Sequence, residues 1–194
     1  VYGNQKNKVI DECQSTEPIS NYGLLKLTME KYAKLCYYQK QLPVIIARPS
    51  NVYGVGQIPF KGQGFISTAV ASILLNKSIQ IYGKGDSIRD YIYIDDVVSG
   101  LIATMKYGEI GEIYNIGTGK GLSNIEIIEN HLRKIAQEEN FELNIDYIEN
   151  RGTDVLRNVL SFKKLQSISG WSPEVTFDKG IQLTWEWLKK YLKI

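Results

Sequence analysis

The sequence predicts an α/β fold, and three observations carry that prediction. Segments of helical periodicity alternate with short β-branched runs along nearly the whole chain, as βα units require. The run "PVIIAR" at 43–48 is apolar almost throughout, as a strand buried on both faces of a parallel sheet would be. Gly- and Pro-rich stretches punctuate the segments. With 194 residues, 43% of them apolar and 23% charged, the chain is long enough for one well-buried domain.

The elements follow in order. Leu25, Met29, Ala33 and Cys36 recur at helical spacing and predict a helix over 22–40. "PVIIAR" is the next strand, and "PSNVYGVGQIPFKGQG" is a loop. Residues 64–76 return to a helix, and "IQIYG" and "RDYIYI" are strands. Asp95 or Asp96 is expected to cap a helix through "VVSGLIATMKY", and "EIYNIG" is a strand. Ser123 and Glu126 form an S-x-x-E capping box ahead of a helix through "IIENHLRKIAQEE". "LNIDYI" is a strand, and Ser161 caps a short helix before "GWSP". A helix through "GIQLTWEWLKKYL" closes the chain, with Trp185 as a core anchor. The first fifteen or so residues show no element that could nucleate a sheet.

Bulk properties exclude several classes. Net charge is +2 and the basic residues are scattered, so neither nucleic acid nor a membrane surface is an expected partner. No apolar run reaches the length of a membrane span, and the start shows no signal-peptide pattern. Cys13 and Cys36 form no C-x-x-C pair, and His131 is the single histidine, so no metal site is expected. A cytoplasmic chain with buried thiols is the expectation, and His131, within a helical pattern, is expected on a surface or in packing.

"SNYGLLKLTMEKY" sets Tyr22 and Lys26 four apart, on one helix face if the segment is helical. An ammonium beside a phenol favours the phenolate, which makes a base. The spacing alone is weak, because Tyr2 and Lys6 repeat it across "YGNQK". Such a base serves a cofactor, yet no G-x-G-x-x-G or P-loop turn opens a helix here. "GTGKG" at 117–121 is the nearest candidate, with the wrong spacing.

Five blocks, taken together, are more specific. They are "VYG" at 1–3, "YGLLKLTMEKY" at 22–32, "RPSNVYGVGQ" at 48–57, "IQIYGKGDSIRDYIYIDDVV" at 79–98 and "YNIGTGKGLSNIEII" at 114–128. A weaker sixth is "RGTDVLRNVLSFKKLQSISGWSP" at 151–173. In this order they resemble the extended short-chain dehydrogenase/reductase family, in particular its NAD-dependent nucleotide-sugar epimerases and dehydratases. The resemblance implies the C-terminal part of a Rossmann-like parallel sheet with a smaller mixed α/β substrate-binding domain. It assigns 1–60 to the NAD-binding part and 61–194 to the nucleotide-sugar part, with elements near 91–118 returning to the Rossmann sheet. In the family the Gly-rich βαβ units precede "VYG". At about 30 residues per unit, on the order of a hundred are absent here, so the chain reads as a portion of something larger.

The resemblance also assigns roles. Tyr22 matches the catalytic base, and Lys26 the residue that activates it and holds the nicotinamide ribose. Pro49 and Ser50 border the nicotinamide. Asn51 and Arg89 contact the diphosphate, for which a planar guanidinium is suited. Arg151 and Asp154 match a second phosphate arginine and a ribose-binding acid, although R-G-T-D departs from the usual R-x-G-D. Backbone from Gln80 to Tyr82 faces the uracil, and Asn158 lies near the sugar's C2 substituent. The implied activity is 4-epimerisation of a UDP-hexose, with NAD as cofactor, in a cytoplasmic homodimer. A 4,6-dehydratase or decarboxylase of the same family, and a non-catalytic nucleotide-sugar-binding remnant, stay open. So does a requirement for a separate N-terminal segment, without which the isolated chain is expected to be inactive.

Overall fold

The computed structural model describes residues 1–149 and 155–194. Its parallel strand pairs come from non-consecutive elements, as crossover connections demand. Strand β1 (Ile46–Pro49) runs parallel to β6 (Ile113–Ile116), with Ile46 opposite Ile113 and Pro49 opposite Ile116. Strand β2 (Asn51–Tyr53) pairs in parallel with β5 (Tyr91–Tyr93), and β3 (Ile79–Tyr82) with β8 (Ile145–Ile148). Strand β4 (Ile88–Arg89) lies between antiparallel β7 (Leu122–Ser123) and parallel β9 (Arg157–Asn158).

Two apolar cores divide the helices. In the larger, α2 (Phe65–Leu74) buries nearly its whole circumference against β3 and α7 (Phe177–Leu192). Trp185 is fully buried there, edge-on to Phe141 at 5.7 Å between ring centroids. In the smaller, α3 (Ile94–Tyr107) and α6 (Lys163–Ser169) pack on β6 around Tyr114, Ile116, Leu165 and Trp171. Tyr2, Ile10 and Leu160 form a third, small cluster.

Several expectations are corrected. The stretch read as one loop after Pro49 contains β2, because Asn51–Tyr53 pairs with distant β5. The capping box at Ser123 and Glu126 forms on both sides, but the helix behind it is not continuous. Helix α4 (Asn124–Ile127) passes through a π-turn (Ile128–Leu132) into α5 (Arg133–Glu138), which lets Ile127, Ile128 and Leu132 all reach the core. Neither Asp95 nor Asp96 caps α3, whose N-cap is Tyr93 with no side-chain hydrogen bond. Asp96 instead accepts the N–H groups of Glu174 and Val175 at 2.9 and 3.0 Å, which ties "GWSPEV" to α3. The thiols are not buried: Cys13 is exposed and Cys36 half-buried. The N-terminal segment, which showed no sheet-forming element, docks through a bridge between Ile10 and Leu160. Ser161 is not the N-cap of α6, which is Phe162 with no side-chain cap bond, although its Oγ accepts the Lys163 N–H at 3.3 Å.

Trp185→Ala is expected to cost about 3–5 kcal/mol, from lost burial plus a cavity, read as a lowered urea midpoint. The backbone N–H and hydroxyl of Ser123 hold the Glu126 carboxyl below its ordinary range. A lowered value stabilises the fold above the ordinary carboxylate pKa of about 4.3, and that stabilisation is lost as pH falls through the lowered value. Glu126→Gln therefore lowers the urea midpoint at neutral pH and shrinks the drop between pH 7 and pH 3. An equal drop in both proteins would refute this assignment.

Candidate active site

Helix α1 (Asn21–Lys40) starts at Ser20, whose Oγ accepts the Gly23 N–H at 3.1 Å. It stops at Gln41, which is left-handed with φ 53°, and Pro43 bars continuation. Tyr22 and Lys26 share one face, with Lys26 Nζ 5.5 Å from the Tyr22 ring centroid, within cation–π range. The apolar spacing that announced this helix does not mark a buried stripe. Leu25 and Met29 are exposed, Tyr22 is 63% exposed, and Gly23 is the helix's single buried residue.

What fixes α1 against β1 is an ion pair. Glu30, one turn beyond Lys26, takes Arg48 of β1 in a fork: Nε to Oε1 at 2.9 Å and Nη2 to Oε2 at 2.6 Å. Both are mostly buried, with side chains 7% and 14% exposed. The Arg48 guanidinium also lies 4.6 Å from the Tyr2 ring centroid, and the Tyr2 hydroxyl donates to Asn115 Oδ1 at 2.8 Å. Burial raises the Tyr2 hydroxyl's pKa, against the pull of Arg48, so it stays a donor. "VYG" is thereby locked to β1 and β6.

A cavity of about 600 Å³ opens over these groups. Its wall includes Tyr22, Lys26, Pro49, Ser50, Asn51, Arg89 and Asn158, seven of the eleven residues named from the sequence. A second cavity, of about 590 Å³, shares Tyr22, Pro49, Ser50 and Asn51 and extends to Gln57, Gln63 and Tyr91. Both lie at the carboxyl end of β1, and the second also runs along β2 to its carboxyl end, where open α/β sheets bind ligands. Gln80 and Tyr82, on β3, line neither cavity. Arg151 and Asp154 lie outside the described residues. His131 pairs with Asp178 at 2.6 Å and packs edge-on to Phe177, so it serves packing.

Sequence reasoning missed Glu30, Arg48 and Asp90. Glu30 was legible in principle, since it continues the Tyr22–Lys26 face by one more turn. Asp90, an acid next to Arg89 in a strand that the sequence marks only by pattern, is fully buried. Its carboxylate accepts the N–H groups of Thr118 (3.0 Å), Gly119 (3.2 Å) and Leu160 (3.1 Å) and the Thr118 hydroxyl (2.6 Å). "GTGKG", the nearest thing to a phosphate loop, is thus an anion-binding turn occupied by the protein's own carboxylate. Gly119 adopts φ 71°, and a Cβ on Gly117 would sit 2.7 Å from Asp90 Oδ2. Both positions therefore require glycine. Burial pushes the Asp90 carboxyl up, and the bonds from Thr118, Leu160 and Gly119 pull it back.

Comparisons with known proteins agree with this geometry. The model of the NAD dependent epimerase/dehydratase family matches residues 1–117, and the chain belongs to that family. It is 35% identical to a putative UDP-glucose 4-epimerase of Methanocaldococcus jannaschii, over 97% of this chain and 60% of that protein. It is 32% identical to human dTDP-D-glucose 4,6-dehydratase, over 98% of this chain and 54% of that one. The solved UDP-glucose 4-epimerase of Thermotoga maritima, with UDP-glucose bound, superposes with a TM-score of 0.89 at 30% identity. That match covers 98% of this chain and 60% of the Thermotoga chain. The chain thus spans about half to three-fifths of the length of the relatives it matches.

NAD is the family's cofactor, and the wall around Tyr22 suits it. Ser50 Oγ and Arg48 Nη1 are buried with no hydrogen-bond partner among the described residues. Unpaired buried polar atoms cost about 1–3 kcal/mol each. A group carrying a carboxamide and ribose hydroxyls is one that can satisfy such atoms.

Glu30→Ala leaves Arg48 charged, buried and unpaired, and is expected to cost about 3–5 kcal/mol. The double variant Glu30→Leu/Arg48→Met removes both charges and should recover most of that loss in guanidine denaturation. A double variant no more stable than Glu30→Ala would contradict the clamp.

Proposed function

We propose that this chain carries the substrate side of an NAD-dependent nucleotide-sugar epimerase, acting at C4 of a UDP-hexose. One observation carries the reading: the Tyr22–Lys26 face and the polar residues Asn51, Arg89 and Asn158 line a single cavity. Bound NAD supplies a hydride acceptor that can also give the hydride back. Tyr22, as phenolate, takes the proton of the sugar 4-hydroxyl and later returns it. Lys26 keeps a positive charge over the Tyr22 ring and holds the nicotinamide ribose, while Pro49 and Ser50 border the nicotinamide. The guanidinium of Arg89 and the amide of Asn51 hold the diphosphate, and Asn158 limits room at the sugar's C2. For Arg151, Asp154 and the backbone of Gln80 to Tyr82, the roles rest on the sequence resemblance alone. The reading also keeps the division at residues 60/61 and a homodimeric assembly.

A 4,6-dehydratase is the second reading, favoured by the 32% identity to the human dTDP-D-glucose enzyme. Both reactions begin with the same proton removal, so Tyr22 keeps its role in either.

Calorimetric titration of UDP into the chain tests the site. Binding is expected, and Arg89→Ala should weaken it about tenfold or more, the loss of a charged hydrogen bond. Tyr22→Phe should leave UDP affinity within about twofold and, in the full-length protein, lower UDP-glucose turnover at least about a hundredfold. A chain that ignores UDP, or binds it equally well without Arg89, defeats the proposal. Release of a 4-keto-6-deoxy sugar would select the dehydratase.

A further inference from the structure

We infer that Asp90 is a positioning residue for the anion-holding wall of the cavity, acting through the strands that carry Asn51, Arg89 and Asn158. The inference rests on the nucleotide-sugar reading of that cavity. The carboxylate has no exposed surface and four donors converge on it from two separate segments. Thr118 and Gly119 belong to the turn after β6, and Leu160 follows β9. The main chain of Asp90 is held just as firmly. Asn51 N–H donates to its carbonyl at 2.8 Å, and its own N–H donates to Asn158 O at 2.9 Å. Asp90 therefore stands at the junction of β2, β4, β5 and β9.

The three cavity residues are its direct neighbours: Arg89 by covalent bond, Asn51 and Asn158 by these backbone hydrogen bonds. None of their side chains bonds the Asp90 carboxylate, whose described partners are Thr118, Gly119 and Leu160 alone. The carboxylate thus does not touch a ligand in the cavity. It fixes where the backbone presents the groups that do. A neutral amide in its place offers one acceptor oxygen for four donors, and its NH₂ faces N–H groups. The turn at Thr118 and the strand end at Leu160 must then move apart, and the wall between them with it.

The test uses the full 194-residue chain, UDP as probe, and temperatures well below each variant's melting point. Asp90→Asn should weaken UDP at least about tenfold, and Thr118→Val, which removes one donor, about threefold. Thr118→Ser, which keeps the hydroxyl, should rescue the valine defect. In ¹H–¹⁵N spectra the amides of Asn51, Arg89 and Asn158 should shift in Asp90→Asn and Thr118→Val, while those of Lys26 and Glu30 stay in place. Should Asp90→Asn fail to fold, Thr118→Val and Thr118→Ser decide alone. Folded variants with those three amides unmoved, or moved with UDP affinity unchanged, overturn the inference. A parent chain that binds no UDP overturns the nucleotide-sugar reading instead, and the amide shifts still decide whether Asp90 sets the wall.

Discussion

The carboxylate of Asp90 is the interaction on which the arrangement of the cavity depends. A buried carboxylate is costly unless hydrogen bonds meet it, and here four donors do. The consequence reaches beyond the turn at Thr118. Leu160, one of the donors, is also the residue that bridges Ile10, so the same carboxylate steadies the docking of the N-terminal segment. That segment brings Tyr2 and Gly3 to the cavity wall and stacks Tyr2 on Arg48. Removal of one charge would therefore loosen two sides of the cavity at once.

The other side is held by different physics. Helix α1 has little buried apolar surface, so the usual source of helix docking is weak here. The Glu30–Arg48 fork replaces it with a directional contact. Buried ion pairs are poor sources of net stability but good determinants of register, because breaking one leaves a stranded charge. A helix that slid or rotated by one residue would strand Glu30. Since Lys26 and Tyr22 lie one and two turns before Glu30 on the same face, fixing that contact fixes theirs.

Much of this was legible in the sequence. Helix and strand alternation, the capping box at Ser123 and Glu126, and Trp185 as anchor follow from local pattern and propensity. The cavity residues were legible as motifs rather than as geometry: Tyr22, Lys26, Asn51 and Arg89 come from stretches far apart in the chain. What was hidden was long-range pairing. Nothing local distinguishes Asn51–Tyr53 from loop, because its partner, Tyr91–Tyr93, lies forty residues further along the chain. Asp96 looked like a helix cap because acids at helix starts usually are, yet its acceptors were claimed by Glu174 and Val175. The periodicity of Leu25 and Met29 showed that α1 is a helix without showing what it packs on.

"GTGKG" shows how local pattern and tertiary chemistry divide the work. A Gly-rich turn between a strand and a helix offers backbone N–H groups that point one way, and such a turn accepts an anion whatever its source. Spacing decides whether a ligand's phosphate can sit there, and here the anion is internal. The glycines of this turn are consequently explained by contact with Asp90, at Gly117 by space and at Gly119 by backbone angle. An external anion must be met elsewhere, and the cavity wall beside Asp90, with Arg89 and Asn51, carries the groups for it. The internal carboxylate thus fills the turn, while the proposed external diphosphate is assigned to the neighbouring cavity wall.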